Sequence, residues 1–151
     1  MHAFFDRTTR FSSEAGRPTM RQIEIGLTSS NDYVATPERL ADRYGNPGVP
    51  VLATPHLVHL AEAECVRCVQ PYLREGESTV GMRLDVRHVA ATPAGMRFTM
   101  RAKLAEIDRR RLVFDVEARD EQGVCFAGIH ERFVIETAPF LAKALERGKR
   151  T

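Results

Sequence analysis

The chain contains no tryptophan, only three cysteines, and almost no excess of charge of either sign in its 151 residues. A small, odd number of cysteines argues against a disulfide framework and is typical of a reducing compartment. Lys and Arg number 22 against 20 Asp and Glu, a net charge of +2, so no strong field attracts a polyanion. The sequence therefore predicts no nucleic-acid partner.

Long apolar runs are also missing. The first residues, "MHAFFDRTTRFSSEAGRP", lack the apolar centre of a signal peptide, and no later run approaches the roughly 18 apolar residues of a membrane span. We therefore expect a cytoplasmic protein without membrane association.

The length of 151 residues favours a single domain. Residues 1–19 are polar and without periodicity, which predicts a flexible leader. Residues 20–147 form the predicted domain, and residues 148–151 a tail.

The alternation of Ile23, Ile25 and Leu27 predicts a first strand within residues 20–30. Residues 29–50 hold three prolines and two glycines, which favours a covering segment over a core element. Thr54 followed by Pro55 is a typical helix start, in which the threonine hydroxyl caps a free backbone N–H.

The helix that follows ends near Pro71, and it has one predicted buried face. Glu64 and Arg67 should point away from it. The face is formed by Thr54, Val58, Ala61, Glu62, Cys65 and Val69.

Four further strands are expected within residues 82–90, 96–104, 112–118 and 124–135, followed by a short helix at residues 140–146. Their turn-rich separators suit hairpins, so the four strands should form an antiparallel meander. The predicted fold class is α+β: a five-stranded antiparallel sheet wrapped around one long helix, the hotdog arrangement. A ferredoxin-like fold would need a second long helix between strands.

Two ionisable residues interrupt predicted apolar faces. Glu62 lies in the helix stripe, and His88 shares strand parity with Met82, Leu84 and Val86. A core glutamate or histidine satisfied by hydrogen bonds would explain each one separately. Because the helix must cover the sheet, the two can also face each other as an acid/base pair.

Other chemistry is less favoured. Cys65 and Cys68 lie inside the helix without a second pair, and His56, His59 and Glu62 diverge around it, so we predict no metal site. Thr54 could serve only as a cap, or it could lie beside a developing oxyanion at the helix N-terminus. Gly81 could ease a bend, or let a ligand approach the backbone.

Three stretches together resemble a known family. They are "ATPHLVHLAEAECVRCVQPYLREGE", "VGMRLDVRHVAATPAGMRF" and "RRLVFDVEARDEQGVCFAGIHERFVI". Within about residues 50–137 they resemble the hotdog thioesterases related to fluoroacetyl-CoA thioesterase. The spacing is specific, since a threonine is followed by a glutamate eight residues on and a histidine 26 further on, inside "H-x-A-A-T-P-x-G".

The resemblance implies an acyl-CoA thioesterase whose catalytic set is Thr54, Glu62 and His88. It also implies that the Gly81 N–H faces the thioester carbonyl and that Arg132 lies beside the pocket. A small acyl-CoA would be the substrate and partner, with no separate cofactor because coenzyme A is part of that substrate. The family further implies a homodimer, or a tetramer of paired dimers, with acyl-CoA bound where subunits meet.

The segment before Thr54 departs from the fluoroacetyl-specific enzyme, which covers its site with phenylalanines. Here "RYGNPGVPVLATP" offers glycines and prolines, with Tyr44 as the only aromatic residue. The resemblance therefore does not extend to fluoroacetyl specificity. Two alternatives to hydrolysis stay open on the sequence: a non-catalytic acyl-CoA binding or sensing domain, and another hotdog reaction such as hydration of an enoyl-CoA.

Overall fold

The computed structural model describes residues 22–149, which form one sheet, one long helix and a second helix at the end. In chain order the elements are β1 (Thr28–Val34), α1 (Thr54–Val69), β2 (Glu77–His88), β3 (Arg97–Asp108), β4 (Arg111–Asp120), β5 (Gly123–Glu136) and α2 (Thr137–Gly148). Short 3-10 turns occupy Pro37–Arg39, Ala41–Tyr44 and Gln70–Tyr72. The predicted leader and the last two residues of the predicted tail lie outside the described residues, and the boundary at residue 20 stays a prediction.

The five strands form one antiparallel sheet in the order β1-β3-β4-β5-β2. β3, β4 and β5 are joined by tight hairpins, as predicted. The meander predicted for β2 to β5 is wrong at its first connection, because β2 pairs with β5 at the edge of the sheet and not with β3. α1 packs across this sheet and makes its most extensive contacts with β3. Its buried apolar side chains meet those of the central strands, among them Leu57, Leu60, Met100, Leu104, Phe114 and Phe126. A single long helix thus covers a five-stranded sheet, as the sequence predicted.

The first strand is not where the alternating isoleucines placed it. Gly26 has a left-handed φ of 97° and turns the chain, and Ile25 before it is 63% exposed. β1 begins at Thr28, near the end of the predicted strand, and runs to Val34 through the segment assigned from sequence to a covering loop. Hydrophobic periodicity missed this strand because its inward side chains, Ser29, Asn31 and Tyr33, are polar.

The buried stripe of α1 is rotated from its predicted position. It consists of Leu57, Leu60, Ala61, Glu64, Cys65, Cys68 and Val69. Glu64, predicted to point away from the core, is 0% exposed, and the hydroxyl and amide groups of β1 donate hydrogen bonds to it. Glu62 lies at the edge of the stripe, and its side chain is 46% exposed, so its predicted burial is wrong for the described chain.

β2 contains a bulge, which interrupts the predicted alternation of inward and outward side chains along the strand. The pairing of β2 with β5 shifts between Gly81 and Arg83, and Met82 is 56% exposed instead of facing the helix. Beyond the bulge, Leu84, Val86 and His88 share one half-buried face, as the alternation predicted.

α2 is longer than the helix predicted at residues 140–146, and none of its side chains is buried. Within residues 22–149, no helix has both the length and the apolar character needed to cross a bilayer.

Candidate active site

Gly81 lies at the centre of a group of ionisable side chains. A Cβ atom built on Gly81 would lie 2.9 Å from Glu62 Oε1, 3.2 Å from His130 Cε1 and 3.5 Å from Arg132 Nη1. Gly81 is on β2 opposite Arg132 on β5, and α1 brings Glu62 to the same place. The absence of a side chain at Gly81 therefore allows a carboxylate, an imidazole and a guanidinium to converge closely on the backbone of β2.

Arg132 is buried, and hydrogen bonds at three of its nitrogen atoms fix its side chain. Its Nε donates to Thr79 Oγ1 at 2.9 Å, and its Nη2 donates to the Thr79 carbonyl at 2.8 Å. Its Nη1 is 3.1 Å from His130 Nε2. Burial lowers the pKa of Arg132, and the nearby carboxylate of Glu62 partly offsets that effect. The fixed guanidinium contributes a positive charge beside Glu62.

His130 is 1% exposed and its tautomer follows from its hydrogen bonds. Its Nδ1 lies 2.9 Å from the Arg83 carbonyl, which can only accept, so Nδ1 carries the proton. Nε2 of the neutral ring is then an acceptor for Arg132, and it lies 3.6 Å from Glu62 Oε1. Burial lowers the pKa of His130, which favours this neutral form at neutral pH.

Thr54 and His88 form a second group. Thr54 Oγ1 lies 2.7 Å from His88 Nδ1, which joins the start of α1 to the end of β2. The predicted cap is wrong: Ala53 occupies the N-cap position, and no side chain caps the helix. The threonine hydroxyl engages the imidazole instead.

The neutral imidazole of His88 can act as a base. Its ring packs edge-on against Phe126, and its Nε2 is buried without a hydrogen-bond partner among residues 22–149. Burial lowers the pKa of His88, so the ring is neutral at neutral pH.

The predicted site residues thus fall into two groups within one chain. Glu62, Gly81 and Arg132 lie together, and Thr54 with His88 forms the other group. Thr54 and Glu62 are eight residues apart on the straight α1, which separates them by about 12 Å along the helix axis.

Within the described residues, no group of three His, Cys, Asp or Glu side chains is arranged to hold a metal ion. Cys65 and Cys68 are buried in α1, and burial raises the pKa of both thiols. A raised pKa keeps a thiol protonated and weakly nucleophilic.

Comparison with known proteins identifies the family. The family model of fluoroacetyl-CoA-specific thioesterases matches residues 35–138, more than half of the chain. The chain is 36% identical over 132 residues to fluoroacetyl-CoA thioesterase of Streptantibioticus cattleyicolor, covering 83% of this chain and 94% of that one. This chain belongs to the fluoroacetyl-CoA-specific thioesterase family.

Solved structures agree with this assignment. A variant of fluoroacetyl-CoA thioesterase in complex with fluoroacetate has a TM-score of 0.75 and 34% identity, covering 83% of this chain and 98% of that chain. A thioesterase superfamily member from Thermus thermophilus has a TM-score of 0.80 and 29% identity, covering 87% and 97%. The resemblance seen in the sequence and the α+β hotdog fold are confirmed, and the protein is a thioester hydrolase.

His130 was not among the site residues predicted from the sequence. The signal was present, because His130 and Arg132 share strand parity with Phe126 and Val134, and all four are buried. Only Arg132 in this strand was predicted to lie beside the pocket.

Proposed function

We propose that this member of the fluoroacetyl-CoA-specific thioesterase family is a homodimeric thioesterase that hydrolyses a small acyl-CoA to the free acid and CoA. The observation that carries the proposal is the convergence of Glu62, His130 and Arg132 on the exposed backbone of Gly81, where a Cβ atom would lie 2.9 Å from Glu62 Oε1. Glycine allows this contact, and a thioester bound beside it would have its carbonyl carbon next to a carboxylate. The 36% identity to a named fluoroacetyl-CoA thioesterase supports an acyl-CoA substrate.

In this mechanism Glu62 attacks the thioester carbonyl or activates the water that does so. The Gly81 N–H polarises the carbonyl oxygen, which stabilises the negative charge that develops on it. Arg132 supplies fixed positive charge beside the same carboxylate. His88 moves protons to and from water and the leaving thiolate, and the hydrogen bond from Thr54 orients the imidazole for that transfer.

The open edge of β2 supports a homodimer. β2 is the last strand of the sheet, so within the described chain its second edge is not paired with another strand. Met82 and Val89 expose apolar surface at this strand and just beyond it. A second copy that covers β2 would remove the exposed edge and bring its own Thr54 and His88 towards this Glu62. A tetramer would follow from pairing two such dimers.

We expect an acyl preference wider than fluoroacetyl. Tyr44, the only aromatic residue in the segment before Thr54, is turned towards α1, where its hydroxyl lies 3.0 Å from His56 Nδ1. Gly45 and Gly48 follow it with φ values of 94° and 80°, a conformation that suits glycine, so the segment carries no further large side chain there.

The test is release of free thiol from short, branched and aromatic acyl-CoA esters by the wild-type protein and by Glu62→Gln. We expect turnover of at least one ester, and a fall in kcat of at least about 10²-fold in the variant, because glutamine can neither attack nor accept a proton. Glu121→Gln, in the exposed turn between β4 and β5, is the matched control and should retain wild-type activity. Undiminished turnover in Glu62→Gln would remove Glu62 from the mechanism.

A further inference from the structure

We infer that His130 is a positioning residue that keeps the Arg132 guanidinium from pairing with Glu62, and so leaves the carboxylate free to react. This inference rests on the proposed role of Glu62 and goes beyond it, since it assigns a role to a residue outside the predicted catalytic set. Three observations carry it: the fixed tautomer of His130, the anchoring of Arg132, and the spacing between Glu62 and its neighbours.

The fixed tautomer gives His130 one free acceptor. Because Nδ1–H is committed to the Arg83 carbonyl, the lone pair of Nε2 is available inside the site. Arg132 Nη1 occupies that lone pair at 3.1 Å. The imidazole is buried, so water cannot replace either hydrogen bond.

A buried arginine such as Arg132 is expected to form a salt bridge with a carboxylate. A buried guanidinium is usually paired with an anion, because an unpaired charge is costly to bury. In the described part of the chain, the hydrogen bonds of Arg132 go to Thr79 and His130, and it makes no salt bridge. Thr79 holds one side of the guanidinium, and His130 accepts from the remaining nitrogen, Nη1.

This arrangement matters for reactivity. A carboxylate in a direct salt bridge with arginine has its lone pairs engaged and is a weaker nucleophile and base. Glu62 instead keeps Oε1 beside the backbone of Gly81, without a salt bridge to Arg132, while still lying near the positive charge. Without the acceptor at His130, the freed Nη1 would turn to Glu62 and form a salt bridge with it.

Two substitutions at His130 separate this role from a purely structural one. In His130→Asn, the amide nitrogen takes the position of Nδ1 and can still donate to the Arg83 carbonyl, but nothing replaces Nε2. In His130→Gln, the amide oxygen reaches the position of Nε2 and can still accept from Arg132. A merely structural histidine would be replaced better by asparagine, because asparagine preserves its bond to β2.

We expect His130→Asn to lower kcat at least about tenfold with little change in KM, and His130→Gln to stay within about threefold of wild type. His59→Asn, at an exposed position on α1, is the control for the histidine-to-asparagine change and should behave as wild type. Thermal melts should show that all three variants are folded. An equal loss of kcat in both His130 variants, or a wild-type kcat in His130→Asn, would overturn the inference.

A double-mutant cycle adds a second readout. If His130 acts through Arg132, then adding His130→Asn to Arg132→Gln should lower kcat no further than Arg132→Gln alone. A full tenfold additional loss in that background would show that His130 acts by another route. Glu62→Gln in the same assay separates the two proposals: if it is inactive while His130→Asn is unaffected, only the role of His130 fails.

Discussion

Gly81 is the residue at which β2 comes closest to the carboxylate of Glu62. Its φ is not in the left-handed region, so alanine can adopt the same backbone conformation. Glycine is therefore required because any side chain would come too close to its neighbours. An added Cβ would lie 2.9 Å from Glu62 Oε1 and 3.2 Å from the ring of His130. Because the carboxylate is the end of a flexible side chain, it would move before the sheet did.

We therefore predict that Gly81→Ala preserves the fold but displaces Glu62. The expected result is a fall in kcat of about 10- to 100-fold, the effect of misplacing a reacting group by about an ångström. The melting temperature should change little. Thiol release and a thermal melt on the same preparation measure both quantities.

Gly148→Ala is the matched control, because a Cβ at Gly148 has no neighbouring heavy atom within 4 Å. It should leave both activity and melting temperature as in the wild type. A Gly81→Ala enzyme with wild-type kcat would mean that substrate does not approach the backbone at Gly81.

At the scale of elements, α1 and β1 are joined by a buried polar network around Glu64. Ser29 donates to Glu64 at 2.6 Å, Tyr33 at 2.7 Å and Asn31 at 2.9 Å, and Arg67 forms a salt bridge to the same carboxylate. Burial alone would raise the pKa of Glu64, but the donors from β1 and Arg67 outweigh it, and the net shift is downward. The network holds an edge strand whose inward residues are polar.

We predict that Glu64→Gln lowers the free energy of unfolding by about 1 to 3 kcal/mol, because at least one buried donor loses its acceptor. The folded pKa of Glu64 lies below its unfolded value, so the carboxylate stabilises the fold above about pH 4.3, the ordinary pKa of glutamate. That contribution is lost as the pH falls further, through the folded pKa. Denaturant unfolding of both proteins at several pH values should show a difference that narrows towards acid.

The same variant distinguishes the two glutamates of α1. Glu64→Gln should retain thioesterase activity in its folded fraction at neutral pH, whereas Glu62→Gln should be folded and inactive. Equal stability of Glu64→Gln and the wild type would mean that β1 is held by its pairing with β3 and not by the carboxylate.

At the scale of the whole molecule, the separation between the two groups of site residues is the reason that we propose a homodimer. Thr54 with His88 and Glu62 with Gly81 lie at different places in one protomer. In a homodimer with two-fold symmetry, each site can take Glu62 from one chain and the Thr54–His88 pair from the other.

This arrangement predicts complementation between inactive variants. Glu62→Gln and His88→Ala homodimers should each be inactive, and mixing them under conditions that exchange subunits should restore roughly a quarter of wild-type activity. The fraction follows because half of the dimers are mixed and each has one intact site. Size-exclusion chromatography with light scattering should first show the dimer, and subunit exchange with a tagged chain should verify mixing. No recovery despite exchange would place all three residues of a working site in one chain.

Much of the fold was predictable because it rests on local patterns. The start of α1 at Thr54, the three hairpin-linked strands β3 to β5 and the antiparallel arrangement all follow from periodicity and turn residues. β1 was misplaced because polar side chains face inward there, and a polar inward face has no hydrophobic period. The bulge at Met82 was equally hidden, since a one-residue insertion changes parity without changing composition. The cytoplasmic location, the absence of a cofactor and the oligomeric state stay predictions.

By itself, the sequence determined that a single long helix covers an antiparallel sheet, which family the chain belongs to, and that Glu62, Gly81 and Arg132 are candidates for one site. Only the tertiary structure decided which glutamate of α1 is buried, that Thr54 bonds His88 instead of capping the helix, and that His130 lies between Arg132 and Glu62. The reason is physical. Spacing along one element fixes the relative directions of its own side chains, but which partner each side chain meets depends on how the helix rotates against the sheet.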